Sequence, residues 1–160
     1  MRQHLEHITF MHNYNIAHLD ISLHNILTDD ESRYACIDFE TSRRFSGIGT
    51  PRIRAPRAAE LPPEVEEGGW SDPYKIDIWA SGMLILRAAK VGSRFLNIHN
   101  ESSPFKQMTG NDFPELSSVV SPMLRDAYEQ RPTAKEALAS FDAMVCTIRK
   151  DRLDSYGSCQ

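Results

Sequence analysis

Cysteine is scarce in this sequence. Cys36, Cys146 and Cys159 are odd in number, far apart and never in a Cys-x-x-Cys spacing. That excludes a disulfide framework or a paired-thiol site as the expected design and favours a reducing compartment. Long apolar runs are missing too: the longest, Ile78 to Leu86, is less than half of the roughly 20 residues a membrane span needs. The amino-terminal stretch interleaves His4, Glu6, His7, His12 and Asn13 with its apolar positions, unlike the uninterrupted apolar region of a secretory signal. Nor is there a large excess of one charge. Lysine and arginine number 18 against 22 acidic residues, a net charge of -4, and only Arg43, Arg44, Arg52, Arg54 and Arg57 approach a basic cluster. Neither nucleic acid nor a membrane is therefore an expected partner, and the expected localisation is cytoplasmic.

What the chain does have is enough apolar material for one core: 41% apolar and 25% charged residues over 160 positions, the composition of an ordinary globular domain. Leu5, Ile8 and Met11 predict one face of a short helix ending near Asn13-Tyr14-Asn15, and His4, His7 and His12 are read as its solvated side, with no zinc set completed around them. Asn25 to Thr28 and Arg33 to Ile37 are β-prone runs around a turn composition, Asp29 to Ser32, and predict a small hairpin. From Asp38 to about Pro63 no period is sustained, so a long functional loop is expected. Asp72-Pro73 caps a helix running to about Lys90 that is apolar on nearly every face, with Trp79 in the core. Phe113 to Tyr128 predicts a helix, and Thr133 to Glu136 is a capping box before an amphipathic helix. The expected fold is mainly α with a small β-hairpin, one domain over 1–150 and a polar tail over 151–160.

The chemistry-bearing residues lie early. His18-Leu-Asp20 is followed by Asn25, a carboxylate and a carboxamide five residues apart in a loop, and Asp38-Phe39-Glu40 follows the hairpin. In this order, with Pro62-Pro63-Glu64 after them, the chain resembles the eukaryotic protein kinase family, whose pattern is His-Arg-Asp, then Asn, then Asp-Phe-Gly, then Ala-Pro-Glu. The resemblance extends to Asp72 through Gly82, similar to that family's central buried helix, and to Arg131-Pro132-Thr133 before its last helix. Each motif alone is weak; five in order across most of the chain are specific. The resemblance implies the carboxy-terminal lobe of a kinase-like α+β fold. It also implies transfer of the ATP γ-phosphate to a serine, threonine or tyrosine hydroxyl of a protein substrate or other protein partner. Asp20 would accept the hydroxyl proton, and Asn25 and Asp38 would hold Mg2+ on the ATP phosphates. His18, Phe39 and Asp77 would be structural, as would Glu64 and Arg131 in a buried ion pair.

The pattern is not followed everywhere. Leu19 stands for an arginine that meets a phosphorylated loop, Ser22 for a lysine on the transferred phosphate, and Glu40 for a glycine. No glycine-rich loop or strand lysine precedes His18, so the upper lobe is read as absent and little turnover is expected of these residues alone. Other readings stay open: a non-catalytic pseudokinase or scaffold module, a fragment of a longer kinase, and a small-molecule phosphotransferase, against which Pro-Pro-Glu and Arg-Pro-Thr argue. Substrate and oligomeric state are not encoded in any recognisable motif.

Overall fold

The computed structural model describes residues 1–31, 33–47, 49–54, 57–93 and 114–157. Helix α1 (Arg2–Asn13) buries Leu5, Ile8 and Met11 along one stripe, and the chain turns after it where Asn15 takes φ 58, a left-handed conformation asparagine tolerates. Strand β1 (Ile16–Ala17) leads into a loop and one turn of 3-10 helix, Leu23–Asn25. Next come β2 (Ile26–Thr28) and β3 (Tyr34–Cys36), paired antiparallel with Ile26 opposite Cys36. Their turn is tied by Asp29, whose Oδ1 accepts the N–H of Glu31 at 3.0 Å and of Arg33 at 2.9 Å. This is the hairpin the sequence predicts.

The stretch expected to be one irregular loop contains two short strands. β4 (Arg43–Arg44) pairs with β1, and β5 (Ile53–Arg54) pairs with β6 (Trp70–Ser71), both antiparallel. Two-residue strands carry no alternation of their own, and their partners are distant in sequence, so nothing local announces them. Between β5 and β6 lies the short helix α2 (Pro63–Glu66).

Helix α3 (Pro73–Ser93) starts on Asp72, whose Oδ1 accepts the Tyr74 N–H at 2.8 Å. It threads the centre of the described residues: Ile78, Ala80, Leu84, Ile85 and Leu86 join Leu5, Ile8 and Met11 of α1 in the main core. Two more helices close that core. From α4 (Pro114–Met123) come Val119, Val120 and Met123, and from α5 (Ala134–Gly157) Ala134 and Ala137. Each large aliphatic side chain so buried contributes about 1.5–3 kcal/mol. The capping box forms as expected, with Glu136 Oε2 accepting the Thr133 N–H at 2.7 Å and Thr133 Oγ1 accepting the Glu136 N–H at 3.2 Å. A second, smaller cluster of Ala17, Leu19, Ile53, Val65 and Ile76 underlies the β1 loop.

Three details depart from the sequence reading. α4 ends at Met123, because Pro122 removes a helix donor, and only a 3-10 turn, Tyr128–Gln130, continues that region; Phe113 lies outside the described residues. α5 runs on to Gly157, into the stretch from 151 expected to be a polar tail. Trp79 is half-buried and lines an open groove with Glu60, Met83, Arg87 and Leu124, so it is not a core residue. No helix among the described residues is long and apolar enough to cross a membrane.

Candidate active site

The loop after β1 is held from beneath by Asp77 of α3, a carboxylate only 1% exposed. Its Oδ1 accepts the Leu19 N–H and its Oδ2 the His18 N–H, both at 2.8 Å, and His12 Nε2 lies 3.0 Å from Oδ2. Two backbone donors converging on one buried carboxylate satisfy its oxygens without a water shell. They also fix Leu19 at φ 64, a left-handed conformation that costs a side-chain-bearing residue about 1–2 kcal/mol. The Leu19 side chain is buried in the smaller cluster with Ile53, Val65 and Ile76. An apolar residue at this position thus serves packing, where the resemblance would place a charge.

With the loop so anchored, Asp20 and Asn25 meet. Asn25 Nδ2 donates to the Asp20 backbone oxygen at 2.9 Å and to Asp20 Oδ2 at 2.8 Å. Both contacts use the nitrogen of the amide, so Oδ1 of Asn25 takes no part in the Asp20 pairing. The hairpin returns Asp38 to the same loop, since the Ile37 N–H donates to the Asn25 carbonyl at 3.0 Å. Asp38 is exposed, sits at φ 62, and its Oδ1 receives only a long 3.4 Å contact from the Glu40 N–H. A carboxamide oxygen and an exposed carboxylate are the hard donors a small divalent cation takes while keeping water and phosphate as its other ligands. Among the described residues no group of three His, Cys, Asp or Glu side chains could hold a metal, so a cation here would rest on Asn25 and Asp38.

His18 is 1% exposed, and its ring packs on Phe39 with centroids 5.0 Å apart and planes tilted by 43°; Phe39 is itself 48% exposed. The His18 carbonyl accepts Thr41 Oγ1 at 3.2 Å and Ser42 Oγ at 3.1 Å, ties that no motif indicates. Farther below, Arg131 is fully buried and donates to both oxygens of Glu64, at 2.8 and 2.7 Å, and to the Arg125 carbonyl at 2.8 Å. This ion pair links α2 to the segment before α5 as the sequence reading expects. The histidines of α1 are not a solvated face: His4 is 2% exposed, its Nε2 lies 3.0 Å from Ser81 Oγ, and its Nδ1 is 3.7 Å from Cys36 Sγ. Burial pushes the His4 pKa down to about 3, and burial with the nearby Asp77 charge pushes the Cys36 thiol up to about 11, so the first is neutral and the second unreactive at neutral pH.

Two features of the site escaped sequence reasoning. The Ala59 N–H donates to Asp20 Oδ1 at 2.8 Å, and Glu60 beside it is paired with Arg87 of α3. A backbone donor has no sequence signature, and an acid and a base 27 residues apart are indistinguishable from solvated charges.

Comparison with known proteins gives a consistent result. The family description "Protein kinase domain" matches residues 1–141. The chain is 29% identical over 142 residues to sperm motility kinase Z of Mus musculus, covering 84% of this chain and 28% of that protein. It is 28% identical over 153 residues to serine/threonine-protein kinase 4 homolog A of Dictyostelium discoideum, covering 84% and 32%. Against serine/threonine-protein kinase TAO1-A of Xenopus laevis the figures are 27% over 154 residues, 88% and 15%. The chain thus spans at most about a third of the length of these curated relatives.

Proposed function

Because the chain belongs to the protein kinase family, we propose that it is the lower-lobe portion of a kinase-like domain and carries that domain's phosphoryl-transfer loop. The reaction it is built for is transfer of the ATP γ-phosphate to a protein hydroxyl, and the serine/threonine-kinase names of several relatives favour serine or threonine as acceptor. The observation that carries this reading is the Asp20–Asn25 contact on a loop anchored by Asp77. Phosphoryl transfer asks a protein for position and charge more than for covalent chemistry. In this reading Asp20 orients the acceptor hydroxyl and takes its proton. Asn25 and Asp38 supply the oxygens for Mg2+, which when bound neutralises phosphate charge. Asp77, His18 and Phe39 position the loop, while Glu64 and Arg131 keep α2 beneath it.

The 160 residues include no glycine-rich loop and no strand lysine before His18, so they should grip nucleotide only weakly by themselves. A transfer assay with labelled ATP, magnesium and a mixed protein acceptor tests the reading. Slow transfer is expected, falling by about a hundredfold or more in Asp20→Asn. Equal transfer by both forms would favour the second reading, a non-catalytic interaction module. That alternative has its own support in Ser22, buried and with its hydroxyl unpartnered among the described residues, where the resemblance places a phosphate-contacting lysine.

A further inference from the structure

Between Glu40 and Glu60 the chain has no acidic residue and no lysine, yet it has Arg43, Arg44, Arg52, Arg54 and Arg57. Positive charge is thus gathered into a single stretch of a protein whose net charge is -4. All five arginines are exposed. Among the described residues none of them is in an ion pair, whereas Arg2, Arg33, Arg87 and Arg131 each have a carboxylate partner. Like charges held together without counter-charges repel one another, and an anion arriving from outside relieves that repulsion.

The fold carries this stretch to the loop that bears Asp20. Strand β4 sets Arg43 opposite Ala17, directly ahead of His18. Ile53 is turned into the smaller apolar cluster, so its neighbours Arg52 and Arg54 project together from the other face, about 7 Å apart along the chain. That is also the spacing of alternate side chains on one face of an extended peptide. Arg54 Nε donates to the Gly68 carbonyl at 2.8 Å, which fixes the guanidinium and leaves its remaining N–H groups for a ligand. Arg57 lies two residues before Ala59, whose N–H donates to Asp20 Oδ1, so its Cα is within about 7 Å of that contact point.

A guanidinium matches carboxylate and phosphate oxygens with two parallel N–H donors. We infer that the Arg43 to Arg57 stretch selects the acceptor, holding a protein segment that carries carboxylates or a phosphate beside its serine or threonine. A peptide fits better than a nucleic acid, because the rest of this acidic chain repels a long polyanion. The inference rests on the phosphotransfer reading of Asp20, but its test needs no nucleotide. Fluorescence anisotropy on the whole chain compares labelled peptides with one serine set among aspartates, among asparagines, or beside a phosphoserine. An anionic peptide should bind about tenfold tighter than the asparagine one, an advantage that fades at high salt; whichever anionic peptide binds tighter identifies the anion. Arg54→Gln and Arg57→Gln should each weaken that binding about threefold to fivefold, and Arg33→Gln should not. With photoreactive benzoylphenylalanine in place of the acceptor serine, the crosslink should fall within residues 18–25. Equal binding of all three peptides would overturn the inference, as would arginine variants that bind like wild type or crosslinks that avoid the loop. An oligonucleotide of equal charge binding as tightly would also overturn it, by marking an unselective anion surface. Charge-selective binding with the expected crosslink, but no phosphoryl transfer, would leave this surface standing and defeat the phosphotransfer reading alone.

Discussion

At the scale of single residues, Arg131 stands out among the described residues: fully buried, bidentate on Glu64, and bonded to the Arg125 carbonyl. Arg131→Ala would leave Glu64 without its partner, and a loss of about 3–5 kcal/mol is expected in urea unfolding. His4 sets a pH dependence. The folded state keeps it neutral down to about 3, whereas an unfolded histidine takes a proton near pH 6.5. The unfolded chain therefore binds more protons between those values, and stability is lost as pH falls through that window, by at most about 1.4 kcal/mol per unit from this group. His7, also lowered by burial, acts in the same direction. Unfolding midpoints from pH 7 to 5 should fall, and less steeply in His4→Gln; identical slopes would contradict the assignment. Some of this was legible in the sequence. Asp20 and Asn25 are five apart in one loop and meet as local contacts do, and Glu64 and Arg131 were found through their motifs. His4 precedes Ile8 by four and Met11 by seven, a helical spacing that places it on the buried stripe. The Ala59 contact had no such signal, because a backbone amide is the same in every residue.

Elements with their own periodicity or caps were readable and those made by distant pairing were not. The stripe on α1, the Asp72 and Thr133 caps and the hairpin turn at Asp29 are all local. β4 and β5 exist only because β1 and β6 lie beside them, and a two-residue run has no pattern to detect. The link from α2 to β6 offers a test at this scale. A Cβ on Gly69 would stand 2.4 Å from the Glu64 carbonyl oxygen, to which the Gly69 N–H already donates at 2.8 Å. Gly69→Ala must move that backbone, at an expected cost of about 1–3 kcal/mol. The displacement would disturb the Glu64 side chain that Arg131 holds, so the cost should shrink in an Arg131→Ala background, and strict additivity by a double-mutant cycle would show the two sites to be independent.

For the molecule as a whole, the order of motifs along the chain revealed the family when no single one could. His18 to Asn25, Asp38-Phe39 and Glu64 lie far apart in sequence, yet Asp77 and the Ile37–Asn25 hydrogen bond gather the first of them into one loop region. That convergence is a property of the fold, visible beforehand only through resemblance. The site so formed is proposed to hold magnesium nucleotide through Asn25 and Asp38, weakly for these residues alone. Titration of Mg2+ and ATP into the labelled chain, followed residue by residue by NMR with Asp38→Asn as control, addresses this most directly. The expected result is binding at about millimolar nucleotide with amide shifts centred on Asn25 and Asp38, absent from the variant. Shifts that avoid these residues, or that persist unchanged in Asp38→Asn, would contradict it.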